Sequence, residues 1–201
     1  MRFKSKEERL EDFCITWTEY APSESDYLVT ENTELMKYLQ EEGFFTAPAS
    51  TKYHGAYEGG LYEHCDKVTE RLIELTNNNN LEWQRPESPF IVGMFHDLCK
   101  CDQYIKVPGK TIEMAGVSFV DNDSYHYEFN TNTMLKGHGS KSVMILSRFI
   151  NLTEEEMLCI RYHMGAYEKE EWAEFDKAIH KYPNVLWTHM ADMLASKVDD
   201  V

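Results

Sequence analysis

The chain has 201 residues, of which 42% are hydrophobic and 13% aromatic, a composition that suits a folded globular protein and excludes wholesale disorder. Its 20 Lys and Arg against 35 Asp and Glu give a formal charge of −15, which repels a phosphate backbone at long range and disfavours sequence-independent binding to long nucleic acid. A small phosphorylated substrate is still admitted, because a local cation cluster can reverse the field inside one pocket while the exterior stays acidic.

In chain order, residues 5–17 and 31–42 read as amphipathic helices separated by the turn-rich APSES segment. Residues 43–60, rich in Gly, Pro and Ser, read as an extended loop. Leu61, Cys65, Val68, Leu72 and Leu75 then recur at helical spacing up to the run Asn77–Asn80. SPFIVGMFHDLCK, residues 88–100, is apolar almost all round, as a buried central helix would be. In 103–129, Pro108-Gly109 and Asp121-Asn122-Asp123 are turn signals between stretches rich in Val, Ile, Thr, Tyr and Phe, which predicts a β-hairpin-like insertion. Helical patterns resume over about 138–150, again from the capping box Thr153-x-x-Glu156 to Gly165, and over about 184–198. The expected fold class is all-α, a helical bundle with a small β-hairpin insertion, in which 1–50 form an N-terminal helical extension packed on a single domain spanning 51–201.

No apolar run reaches the roughly 18 residues needed to span a bilayer, and the charged opening MRFKSKEERLEDF has no signal-peptide core. No membrane partner is expected. The five cysteines, Cys14, Cys65, Cys99, Cys101 and Cys159, are odd in number and irregularly spaced, which reads as reduced thiols in a cytoplasmic protein.

His96-Asp97 stands inside the most apolar segment. A carboxylate buried there without compensation costs several kcal/mol or takes up a proton; either a divalent cation or a plain buried His–Asp hydrogen bond answers that. His64 lies at the edge of an apolar helical stripe, His138 opens a helix between Gly137 and Gly139, and His163 precedes Gly165 near the end of another. Asp192 interrupts the apolar and small-residue stretch WTHMADMLASKV. One ligand-type side chain thus intrudes on the inward face of each of five successive helices, which is how bundles build metal sites from residues distant in sequence.

The order His64 … His96-Asp97 … His138 … His163 … Asp192 resembles the signature of the HD superfamily of metal-dependent phosphohydrolases. The local words GGLYEHCDKV, FHDLCK, GHGSKS, RYHMG and HMADMLASKV resemble its successive motifs over about 53–198. The HD domain of bacterial 3′–5′ exoribonucleases, and uncharacterised HD hydrolases of bacteria and phages, are the most similar sub-patterns. The chain departs in two ways: Cys99 stands where the family has Gly or Ala before the motif lysine, and nothing corresponds to the nucleic-acid-binding domain of the exoribonucleases.

The resemblance implies that His64, His96, Asp97 and Asp192 hold one divalent transition-metal ion and that His138 and His163 hold a second, with Asp97 as the bridge. Imidazole and carboxylate ligands suit Fe, Mn, Co, Ni or Zn alike. A hydroxide between two such ions, about 3.5–4 Å apart, would attack phosphorus, with Asp97 and Lys100 as catalytic residues. Lys100, Lys141 and His54 are the substrate-binding candidates, although solvated lysines and a plain loop histidine would look the same. Arg161 falls on a different face from His163, and His189 reads as a core histidine. Cys99-x-Cys101 lacks the second pair that a thiolate zinc site needs. The expected activity is hydrolysis of a phosphomonoester or phosphodiester of a small, nucleotide-like substrate; a single-strand-specific 3′–5′ exonuclease and a catalytically silent nucleotide-binding module are the alternatives.

Overall fold

Apolar stripes at helical spacing close into a bundle once their faces meet. The computed structural model describes residues 3–20, 33–166 and 171–201, and among these it has eight α-helices: α1 Lys6–Tyr20, α2 Thr33–Glu41, α3 Gly60–Asn79, α4 Ser88–Phe95, α5 Gly139–Leu146, α6 Glu154–Arg161, α7 Trp172–Lys181 and α8 Asn184–Leu194. The APSES segment and residues 31–32 of the expected second helix lie outside the described residues. The chain is mostly helical with one two-stranded antiparallel sheet, as the sequence leads one to expect.

α3 packs on α4 and α8, and α6 joins α4, α5 and α8. The core beneath them is aromatic: Phe13 and Trp17 of α1 meet Phe44, Phe90 and Phe95 at ring separations of 5.7 to 6.4 Å. Offset and edge-on contacts of this kind add to what burial alone contributes. Two glycines allow close approach at the ligand-bearing helices. A Cβ on Gly93 of α4 would fall 2.7 Å from Thr69 Cα of α3, and one on Gly139 would fall 2.3 Å from the Arg161 carbonyl oxygen at the end of α6.

Four local expectations are corrected. The segment 88–100 is not one helix: α4 stops at Phe95, Asp97 adopts φ −106° and ψ 18°, and Leu98–Cys101 form a 3-10 turn. An all-round apolar pattern carries no mark of a single bent residue, so periodicity runs straight through the break. In the hairpin, β1 Tyr104–Met114 and β2 Val117–Phe129 are joined at Ala115-Gly116, both with positive φ (54° and 79°), as a tight primed turn requires. Pro108-Gly109 instead lies within β1 opposite a bulge in β2, where residues 122–124 face the one Gly109, and Asp121 pairs with Lys110 inside the ladder. The last helix ends at Leu194 and continues as a π-helical turn, Ala195–Asp199. α7 went unread because only a narrow stripe of it, Phe175 and Ala178, is buried. Thr153 caps α6 as expected, its hydroxyl accepting from the Glu156 N–H while the Glu156 carboxylate accepts from the Thr153 N–H. No helix is long and apolar enough to cross a membrane among the described residues.

Candidate metal centre

Each candidate ligand is delivered by a different element. His64 sits in the first turn and a half of α3, and His96 and Asp97 occupy the bend that ends α4. His138 is the N-cap of α5, His163 follows the end of α6, and Asp192 lies in the last turn of α8. The break at His96-Asp97 matters because a continuous helix would carry Asp97 about 100° round the axis from His96. Bent as it is, the chain places Asp97 among all four imidazoles.

Asp97 Oδ1 lies 3.0 Å from His138 Nε2 and 3.4 Å from His163 Nε2. Its other oxygen, Oδ2, lies 3.6 Å from His64 Nε2, 3.5 Å from His96 Nε2 and 2.6 Å from the Lys100 ammonium. Asp192 Oδ1 is 3.2 Å from His64 Nε2. Two groups are spaced to hold a metal ion, His64 with His96 and Asp97, and His138 with His163 and Asp97, so Asp97 is common to both. All are buried except His138, whose side chain is 29% exposed, and the cluster therefore meets solvent on the His138 side.

The ring orientations show what the cluster lacks. His64 Nδ1 contacts the main-chain oxygen of Val201 at 2.9 Å, His96 Nδ1 the Gly93 carbonyl at 2.8 Å and His163 Nδ1 the Ile160 carbonyl at 2.7 Å. A carbonyl only accepts, so these three Nδ1 atoms carry the proton and the Nε2 atoms of neutral rings are bare lone pairs. His64 Nε2 and His96 Nε2 then face each other at 3.3 Å beside a carboxylate. Asp97 Oδ1, His138 Nε2 and His163 Nε2 are buried with no hydrogen-bond partner. Lone pairs converging in a dry pocket repel unless a cation sits between them. Protonating His96 is not the remedy, since burial pushes it down towards its neutral form. The residues fit a divalent cation, and the carbonyls behind the rings are the outer partners that metal-ligating histidines use.

Burial by itself would raise the Asp97 carboxyl, but the Lys100 ammonium 2.6 Å away holds it well below the usual range. Burial disfavours the charged form of Lys100, yet Asp97 keeps it above its ordinary value.

Among the other sequence candidates, His54 sets its ring 5.1 Å from that of His64 at a tilt of 38°, with its Nδ1 buried and unpartnered. Burial, with His64 and Lys100 nearby, brings it down to about 4, so it stands neutral at pH 7, which suits a residue lining the pocket. Lys141 is buried with its ammonium bonded to Asp102 rather than directed at Asp97. His189 donates from Nδ1 to the His163 carbonyl at 2.7 Å and so buttresses a ligand. Arg161 reaches the Ser140 hydroxyl beside the N-terminus of α5. All five cysteines are free thiols. Burial pushes Cys99 up to about 12, so it is not a thiolate at neutral pH; its Sγ lies 3.2 Å from His138 Nδ1, the place a carbonyl takes behind the other three rings. Sequence reading gave no sign of Tyr104 at this site, yet its phenol lies within electrostatic reach of Lys100 and Asp97. Nor did it register the Val201, Gly93 and Ile160 carbonyls, because a backbone oxygen is the same in every residue.

No family model, no curated protein and no solved structure matches the chain.

Proposed function

We propose that this protein is a metal-dependent phosphohydrolase of the HD kind, acting on a phosphomonoester or phosphodiester of a small nucleotide-like molecule with two divalent transition-metal ions bound. The observation that carries this reading is Asp97, which turns one oxygen towards each of two pairs of imidazole nitrogens. His64, His96 and Asp192 would hold one ion, His138 and His163 the other, with Asp97 shared. Bound there, such ions supply a hydroxide nucleophile at neutral pH and neutralise charge developing on phosphoryl oxygens.

The chain's own residues set the rest. Three carbonyl-locked rings fix the ligand nitrogens before substrate arrives, which lowers the reorganisation needed at the reaction. Lys100 holds a positive charge on the Asp97 side of the cluster, where it can contact a phosphate oxygen as well as the carboxylate. Substrate enters on the His138 side, past Tyr104 and the base of the hairpin. The formal charge of −15 favours a small substrate over a long polyanion.

Two measurements test this together. Elemental analysis of the purified protein should find close to two transition-metal ions per chain, and Asp97→Ala should lose both. A chromogenic phosphodiester and a nucleotide panel, assayed with Mn²⁺, Fe²⁺, Co²⁺ or Ni²⁺, should be turned over by the wild type and not by Asp97→Ala. Protein that takes up metal but hydrolyses none of these is a silent binding module, and protein that refuses metal altogether refutes the whole reading.

A further inference from the structure

The hairpin is tied at its root to the turn that carries Lys100. The Gln103 N–H donates to the Lys100 carbonyl at 3.3 Å, and the Asn130 N–H closes the other strand onto the Gln103 carbonyl at 2.8 Å. Asn130 also donates from its side-chain amide to the Asp102 carbonyl at 2.8 Å. Tyr104, the first residue of β1, and Phe129, the last of β2, therefore keep a fixed place beside the metal centre, whatever the tip does.

Directly opposed residues of an antiparallel pair, and those two further along, share one face. Tyr104, Lys106 and Pro108 of β1 pair with Phe129, Tyr127 and Tyr125 of β2, so four aromatic rings and one lysine line a single face of the hairpin. Much of that face is covered. Tyr127 is buried, and Lys106 sets its ammonium 4.0 Å from the centre of the Tyr125 ring while pairing with Glu58. Phe129 is different: it is 64% exposed, and among the described residues its one ring contact is Tyr104, at 5.3 Å and a tilt of 58°. The Gln103 side-chain amide donates to the Tyr104 hydroxyl at 3.0 Å and steadies it, and the phenol lies within electrostatic reach of Lys100 and Asp97. An open aromatic ring thus stands against the ring that borders the lysine and the shared carboxylate.

The bare face of Phe129 gains by being covered with another flat apolar surface. A nucleobase is such a surface, and every base has one, so a ring without hydrogen-bonding groups takes any of them. We propose that Phe129, backed by Tyr104, is the base-binding platform of this site, and that its ligand is a nucleotide whose unpaired base stacks on Phe129 while the phosphate lies at the metals and Lys100. A base inside a duplex has both faces covered and does not fit. The place of the phosphate rests on the function proposed above. The competing role of the same two rings is a cross-strand pair that only stiffens the hairpin.

The test uses the full chain as purified. The ligands are the hydrolysis-resistant methylene phosphonate analogues of the four nucleoside 5′-monophosphates, and that of ribose 5-phosphate, which has no base. Titration calorimetry should show the wild type binding all four nucleotides more tightly than the baseless sugar. Phe129→Ala should weaken each nucleotide about tenfold, within what one base–aromatic stack contributes, and leave the sugar phosphate unchanged. Phe129→Tyr, which keeps the ring, should bind as the wild type does, and Ile15→Ala, which trims a similarly exposed residue of α1, should change neither ligand. Photolabelling with 8-azidoadenosine 5′-monophosphate should place its adduct on Tyr104 or Phe129. Equal binding of nucleotide and baseless sugar, an adduct on another element, or loss of both ligands alike in Phe129→Ala overturns the proposal; the last pattern marks the stiffening pair. Base-dependent binding that Phe129→Ala removes, in a protein that hydrolyses no nucleotide, leaves the platform standing and defeats the hydrolase reading instead. Metal-dependent turnover of nucleotides that Phe129→Ala leaves untouched does the reverse.

Discussion

At the residue scale, the balance of the site turns on Lys100 and Asp97, 2.6 Å apart with both side chains less than a tenth exposed. Removing one partner of a buried pair leaves the other as an uncompensated charge, at about 3–5 kcal/mol. Lys100→Met should therefore destabilise the metal-free protein by about 3 kcal/mol. A divalent ion bound at Asp97 takes over the neutralisation, so added Mn²⁺ should raise the melting temperature of Lys100→Met more than that of the wild type. Thermal melts with Mn²⁺ and with a chelator check this; equal gains in the two proteins would show that Lys100 and the metal do not share a carboxylate.

At the element scale, the cluster depends on how closely helices can approach. The first residue of α5 packs on the last carbonyls of α6, where a Cβ on Gly139 would fall 2.3 Å from Arg161 O and 2.5 Å from Ile160 O. These are backbone atoms and cannot rotate away, so α5 must shift. Overpacking of this kind costs about 1–3 kcal/mol, and here it would also draw His138 from His163, whose rings are 4.9 Å apart. Gly139→Ala should lower the melting temperature and bring metal content down towards one ion per chain, while the half held by His64 and His96 persists. Metal content that stays near two would show that this contact does not set the ligand geometry. The bend after Phe95 has the same standing: it is an element's end, rather than a side chain, that brings Asp97 to the centre.

At the scale of the whole molecule, α1 is part of the core rather than an appendage laid over it, since Phe13 and Trp17 pack among rings from α4 and from the 43–60 loop. The hairpin is the opposite case. Its base is tied to the body by Lys106 and Glu58 at 3.0 Å, while Met114, Val117 and Phe119 near its tip are exposed. Little of the core depends on that tip. Replacing residues 110–121 by Asn-Gly should therefore leave the melting temperature and metal content intact, and should change relative hydrolysis rates across a nucleotide panel, because the strands emerge beside Tyr104. Unaltered relative rates would remove the hairpin from substrate selection.

The sequence by itself determined the helical class, the insertion and the identities of the clustered histidines and aspartates. Each is written in side chains: apolar residues at helical spacing, a capping box at Thr153, and ligand-type residues intruding on inward faces. Lys100 was legible from its spacing, one turn after His96, and from the lysine of the motif that FHDLCK resembles. Only the tertiary structure decided the rest. The break at Asp97 is one residue's dihedral angles, which an all-round apolar pattern does not record. Lys141 points to Asp102 because of where α5 docks, and Cys99 stands behind His138 for the same reason. Arg71, two turns from His64, reads in sequence as a solvated lysine or arginine would; its partner lies 128 positions away. The contacts that orient three of the rings were beyond sequence altogether, because they are made by main-chain oxygens of Gly93, Ile160 and Val201, and every residue has one. What folding adds is the choice of which carbonyl faces which ring.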